Sequence, residues 1–300
     1  MSTKNVSDWL LSQNRYQRAE KCVDKKIEGK AKTISITAGK GGVGKTSVAI
    51  KVAKSLADAG YKTLLIDCDF NLANTAVKLG LPINDDFASL IMGTKSFEEV
   101  LHRDGQFHLL SGCNGNLDLF ENRLEYDKII LDILVGHEDE YDFILLDSPA
   151  GIQKDTLTIN AYSDYRFVVV TPDKSSITDS YSLMKILNTK YGVKTNHLLV
   201  NKVSNLAQYQ KIVKTLSETV DHFLKGRVNV LGSIEYENKA VDKFDQILLG
   251  SANSSIHKNF IKVVNRFTEE NISTLFSDEK FEVPFATTHF GKQEVQPTIC

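Results

Sequence analysis

Residues 39 to 46 read Gly-Lys-Gly-Gly-Val-Gly-Lys-Thr, and four glycines with two lysines in so short a stretch suit one kind of chemistry, the capture of phosphate oxygens. Gly39, Gly44, Lys45 and Thr46 complete the spacing G-x-x-x-x-G-K-[ST]. In such a loop the backbone N–H groups converge on β-phosphate oxygens, and the helix that follows adds positive potential at its N-terminus. Lys45 is placed to span β and γ oxygens, and Thr46 to offer its hydroxyl to Mg2+. A side chain at Gly41, Gly42 or Gly44 would obstruct that approach. Gly39, Gly41, Gly42, Val43, Gly44, Lys45, Thr46 and Ser47 therefore form the expected cradle for ATP or ADP. One lysine is enough to grip the phosphates, which leaves Lys40 to be explained.

The polar groups that would complete the site stand at the ends of apolar runs. "LLIDCDFN" closes with Asp67 and Asp69, two apart and so directed to the same side if the strand persists. "DFILLDSPAG" closes with Asp147, and "LLVNKVSN" carries Asn201, whose amide can both donate to and accept from a base edge.

These ends belong to seven short, continuous runs: "TISITAG" at 33, "KTLLID" at 62, "FHLLSG" at 107, "DFILLD" at 142, "RFVVVTP" at 166, "NHLLVNKV" at 196 and "VNVLGSI" at 228. Unbroken apolar runs of this length suit strands buried on both faces. Between them lie helical patterns. In 46 to 59, Val48, Ala49, Val52, Ala53, Leu56 and Ala57 share one face, and Gly60 supplies the stop. The alternation predicts an α/β fold, a mostly parallel central sheet of about seven to eight strands with helices on both faces, the P-loop NTPase fold. Ligands of such sheets bind at the carboxyl ends of strands, where "GKGGVGKT", "DCDFN", "DSPAG", "TPDKSS" and "NKVSN" all begin.

The run Lys40-Gly-Gly-Val-Gly-Lys-Thr46 resembles the deviant Walker motif of the MinD and ParA family of ATPases, and the likeness extends from about residue 32 to residue 268. It implies that Lys40 reaches across an ATP-bound homodimer to the partner's nucleotide, where a cation relieves the repulsion between two facing triphosphates. It further implies that Asp69 positions or activates the attacking water, that Asp67 lies near the Mg2+ shell, and that Asp147 holds Mg2+ through water. Gly151 would let the next backbone respond to the γ-phosphate, and Asn201 would contact adenine. Slow hydrolysis follows, because such sites work by positioning and charge neutralisation. The segment expected to carry Pro-Glu-Asp reads "GSIEYENKAV" at 232 to 241, without the proline and with Glu235 and Glu237 nearby, so it does not match the second base contact.

Within the family, "FNLANTAVKLGL", "HLLSGCNG", "DSPAGIQKDTL" and "TPDKSSITDSYSLMKIL" look like the FlhG (FleN, YlxH) branch, regulators of flagellar number. That resemblance implies an ATP-driven dimer that docks on the inner membrane and acts with a partner GTPase of the FlhF kind. "SQNRYQRAEKC" is a poor match to the element through which the branch stimulates that GTPase. Two other readings stay open: a ParA- or MinD-type ATPase for DNA partition or division-site placement, and a nucleotide-binding scaffold without turnover.

Composition bounds the alternatives. The 300 residues carry a formal charge of -2 and a pI near 6.4, which gives no field for nucleic acid, although Lys185, Lys190, Lys194, Lys211, Lys214, Lys225 and Arg227 are candidates for a local basic patch. No apolar run approaches the roughly 20 residues of a membrane span, and the first residues lack the apolar core of a secretory signal, so a cytoplasmic protein is expected. Cys22, Cys68, Cys113 and Cys300 are too scattered for a zinc, iron-sulfur or disulfide framework. The expected organisation is an N-terminal extension at 1–31, carrying a sparse stripe of Trp9, Tyr16, Ala19, Val23 and Ile27 that could form a partner-binding helix; an ATPase domain at 32–276; and a mobile tail at 277–300. In 256–267 one stripe, Ile256, Phe260, Val263, Val264 and Phe267, opposes Lys258, Lys262 and Arg266. A helix of that pattern suits either an anionic membrane surface or the face of the sheet.

Overall fold

The computed structural model describes residues 31–69, 74–82, 84–112, 126–237 and 254–272. The expectations for the segment before Ala31, for the tail 277–300, and for Cys22, Cys113 and Cys300 lie outside these residues. Ala31 itself is buried and already belongs to the packed domain.

Each apolar run becomes a strand: β1 (Lys32–Thr37), β2 (Thr63–Asp67), β4 (Phe107–Leu110), β5 (Phe143–Asp147), β6 (Tyr165–Val170), β7 (Thr195–Val203) and β8 (Arg227–Glu235). The eighth, β3 (His102–Asp104), is absent from the sequence reading because its three side chains are exposed and polar. It is antiparallel to β4, joined to it through Gly105 at φ 59°. The sheet order is β3-β4-β2-β5-β1-β6-β7-β8, and every pair except β3-β4 is parallel.

Alternation within the buried strands divides the core in two. Leu65, Phe143, Leu145, Phe167 and Val169 face the helices α1 (Lys45–Asp58) and α9 (Ser255–Asn271). Their neighbours Leu64, Ile66, Ile144 and Leu146 face α3 (Asp86–Ile91), α4 (Phe97–Val100) and α5 (Tyr126–His137), with α2 (Asn74–Leu79) preceding α3 in the chain. α6 (Lys154–Tyr162) contributes Ile159 to that second layer. Val168, Val170, Leu198 and Val200 pack with α7 (Lys174–Tyr191) and α8 (Leu206–Leu224).

The α9 stripe is settled by this packing. Ile256, Phe260, Val263, Val264 and Phe267 are all buried in the cluster that includes α1, while Lys258, Lys262 and Arg266 point to solvent. Lipid contact through the apolar stripe of 256–267 is therefore corrected: the surface that would enter a membrane is used to cover the sheet. Gly232 marks how closely β8 meets α9, since a Cβ there would lie 3.3 Å from Val263 Cγ2. Among the described residues, no helix is long and apolar enough to cross a membrane.

His197 on β7 sits under α9 with the rings of Tyr165, Phe167 and Phe267 around it. Burial, then the nearby Arg166 charge, pushes its pKa down to about 4. An unfolded histidine titrates near 6.5. The folded state thus binds fewer protons between these values, and the stability that neutral His197 provides is complete above about 6.5 and lost as pH falls towards 4. The loss should reach on the order of 3 kcal/mol. Denaturant titrations between pH 7.5 and 4.5 should show a steeper decline for wild type than for His197→Gln; parallel curves would refute the assignment.

Candidate functional site

The phosphate-loop candidate joins β1 to α1, and α1 begins at Lys45 with Gly44 as its N-cap and no side-chain cap. The first amides of α1 are thereby left for a ligand. Gly42 and Gly44 adopt φ 77° and 96°, a left-handed conformation that glycine accepts without strain. Gly39 is required for a different reason, since a Cβ there would lie 2.1 Å from the backbone carbonyl carbon of Asp179. The loop rests directly on the backbone of α7. At Gly41 and Gly42 a Cβ would meet open space.

Parallel register brings the carboxylates together. β2 pairs with β5 so that Asp67 stands beside Asp147, and Ile36 of β1 pairs with Asp147 on the other side. Both acids are buried, and burial is the first cause that raises them, Asp67 to about 6 and Asp147 to about 7. For Asp147 the neighbouring Asp67 adds to the rise, while Thr46 and Lys45 oppose it. Lys45 is lowered by its own burial, against the pull of Asp147 and Asp69. The residues present fit a divalent cation on one structural ground: Asp147 Oδ1 is buried with no hydrogen-bond partner. Among the described residues no three His, Cys, Asp or Glu side chains form a cluster that could hold a metal. A hard cation here would take its other ligands from Thr46, phosphate oxygens and water.

Asp67 and Asp69 divide their tasks. Asp67 accepts from the amides of Asp69 (3.1 Å) and Thr75 (3.2 Å), which ties the end of β2 to the first turn of α2. Asp69 is only partly buried. Gly112, just past β4, lets the segment pass: a Cβ would come within 3.0 Å of Asp69 O and 3.3 Å of Asp67 Cγ. On the other side, Gly151 has φ 99° and its N–H donates to Ala38 O at 3.0 Å, so the segment after β5 is bonded to the start of the phosphate loop.

The two lysines of the loop go to different places. Lys45 turns into the carboxylates, whereas Lys40 Nζ donates to Asp173 Oδ1 (2.8 Å) and Ser175 Oγ (2.7 Å) at the start of α7. Asp173 also accepts from the Ser176 amide (2.9 Å) and the Thr171 hydroxyl (2.6 Å), which makes it the N-cap of α7. Burial works against its ionisation, but the bonds from Lys40, Ser175, Thr171 and Ser176 hold its carboxyl well below the usual range. Asn201 is buried; its Nδ2 donates to Val43 O (2.8 Å) and its Oδ1 accepts from Lys202 N (2.9 Å). Each polar atom of the amide keeps one further bonding position for a base. Glu235 and Glu237 are described, while residues 238 to 241 of the second expected base segment lie outside the described residues.

Sequence reading thus placed the loop, the three aspartates and Asn201 at one end of the sheet, and the structure brings them together. It missed Thr75, Gly112, Asp173 and Lys202. Gly112 carried a weak signal, a glycine at the end of a buried run; "TPDKSS" marked Asp173 as a strand-end polar residue without indicating its partner.

The chain matches the AAA domain family over residues 31–200. It is 30% identical over 214 residues to the antiactivator FleN of Pseudomonas aeruginosa, covering 70% of this chain and 76% of FleN. It is 32% identical over 218 residues to the flagellum site-determining protein YlxH of Helicobacter pylori, covering 69% of this chain and 71% of that one. Among solved structures, the septum site-determining protein MinD complexed with Mg-ADP from Pyrococcus horikoshii superposes with a TM-score of 0.67 at 21% identity, over 80% of this chain and 97% of the other.

Proposed function

Because this chain belongs to the MinD/ParA family of P-loop ATPases and resembles its FlhG members, we propose that it is an ATP-hydrolysing switch that dimerises on ATP binding and controls the placement or number of a cellular structure, most naturally flagella. The observation that carries the reading is the divergence of the two loop lysines: Lys45 turns inward beside Asp147 and Asp69, whereas Lys40 is held at the partly exposed outer rim on Asp173 and Ser175.

The chain's own groups supply most of the mechanism. The amides of Gly41 to Thr46 bind the phosphates, and Lys45 neutralises the β and γ oxygens. Asp69, at the open end of β2, orients the water for in-line attack, while Asp67 holds the segment on which Asp69 stands. Thr46 and Asp147, with Asp67 beside it, would hold a Mg2+ ion, which would supply charge neutralisation at the phosphates. Asn201 borders the base. Loss of the γ-phosphate is transmitted through Gly151, whose amide is bonded to Ala38. A GTPase of the FlhF kind is the partner that the FlhG resemblance suggests.

The deciding experiment is light scattering after size-exclusion chromatography of Asp69→Ala in Mg-ADP and in Mg-ATP. A monomer in ADP and a dimer in ATP is the expected result. A monomer in both removes the switch.

A further inference from the structure

We propose that Lys202 is a positioning residue of the phosphate loop, and that an irregularity in β7 serves to aim it there. The inference rests on the nucleotide-binding reading of the loop and adds a residue that reading did not include.

Three features of the backbone converge on this position. Val200 of β7 pairs with Ser233 and Val203 with Glu235, so Asn201 and Lys202 face the single residue Ile234, a bulge of one extra residue. Bulges next to active sites redirect side chains. Lys202 has φ 60°, one of two non-glycine residues with positive φ among those described, and the other, Lys225, closes a helix, where that conformation is ordinary. The turn is closed by Asn201 Oδ1, which accepts from Lys202 N at 2.9 Å.

The result is a two-pronged grip on successive carbonyls of the loop. Lys202 Nζ donates to Gly42 O at 3.0 Å, and Asn201 Nδ2 donates to Val43 O at 2.8 Å. A trans peptide points its C=O and the next N–H in opposite directions. Holding Gly42 O towards β7 therefore turns the Val43 N–H away from β7, and holding Val43 O does the same for the Gly44 N–H. Gly42 and Gly44, at φ 77° and 96°, have no side chains to resist a flip of these peptides. A flipped peptide would present a carbonyl oxygen to a phosphate oxygen. The grip fixes the polarity of the loop before the ligand arrives.

The test combines Lys202→Gly, Lys202→Met and Lys202→Arg in the full chain. Glycine removes the ammonium but accepts φ 60° freely, so its melting temperature should equal or exceed wild type. Its dissociation constant for a fluorescent ADP should nevertheless rise about tenfold, as should that of Lys202→Met, while Lys202→Arg stays within about threefold. Without nucleotide, the 15N-1H resonances of Val43 and Gly44 should shift in the glycine and methionine variants and keep wild-type positions in Lys202→Arg. Wild-type affinity and unshifted resonances in Lys202→Met would overturn the proposal, as would weakened binding that tracks a fall in melting temperature. If wild type itself binds no ADP, the nucleotide reading fails first and takes this proposal with it.

Discussion

Replacing Asp69 with alanine should cut phosphate release by at least about a hundredfold and leave ATP and ADP affinity within a few-fold of wild type. The asymmetry follows from what the two aspartates of β2 already do. Asp67 is fully buried, accepts two backbone amides and stands against Asp147, so its removal would free the Asp69 and Thr75 amides and take away the carboxylate paired with Asp147. Asp67→Ala should therefore lose binding, hydrolysis and stability together. Asp69 contributes its amide to that arrangement and keeps its side chain at the partly exposed end of the strand, close enough to feel Lys45. An alanine there preserves the amide and removes only the carboxylate. Single-turnover phosphate release measured beside equilibrium binding separates the two behaviours. Turnover within tenfold of wild type in Asp69→Ala would mean that some other group orients the water.

The comparison between Asp67 and Asp69 also shows where sequence stops being informative. Their spacing, and the ending of a second buried run at Asp147, are one-dimensional facts, and parallel pairing of β2 with β5 turns them into adjacency without further information. The phosphate loop was legible for the same reason: its function is carried by the backbone, and glycine spacing reports backbone conformation directly. The division of labour between the two aspartates depends on the Thr75 amide and the bare Cα of Gly112, which reach the site from α2 and the end of β4. No periodicity encodes such a meeting. The α9 stripe illustrates a different limit. Its pattern specifies an apolar surface and leaves open what covers it, and only the packing of Phe260 and Phe267 with α1 and the sheet decides for the core over a bilayer. β3 escaped because an exposed edge strand of three polar residues has no burial pattern to read. Lys202 escaped because left-handed backbone at a lysine cannot be inferred from its type.

Lys40→Ala should abolish the ATP-dependent dimer while leaving the affinity for ADP close to that of wild type, whereas Lys45→Ala should abolish nucleotide binding outright. The contrast is grounded in position. Lys45 is half-buried beside Asp147 and Asp69, so its charge acts on whatever occupies the loop of its own subunit. Lys40 lies at the rim, with its side chain 34% and that of Asp173 45% exposed. An ion pair this open contributes at most about 1 kcal/mol, so a facing triphosphate can draw the lysine away at little cost. The same estimate fixes the expected behaviour of Asp173→Ala. Without Asp173, Lys40 loses the ion pair and keeps only the Ser175 hydroxyl, and the ATP concentration for half-maximal dimerisation should fall by no more than about fivefold. Loss of the α7 cap lowers stability at the same time, by about 1 kcal/mol, so the melting temperature must be followed in parallel. Titration of dimer mass against ATP for wild type, Lys40→Ala and Asp173→Ala orders the three. A dimer that forms in Lys40→Ala at wild-type ATP concentrations would show that the second lysine of the loop belongs to its own subunit, held by Asp173 for a structural purpose, and that the contact between subunits is made by other residues.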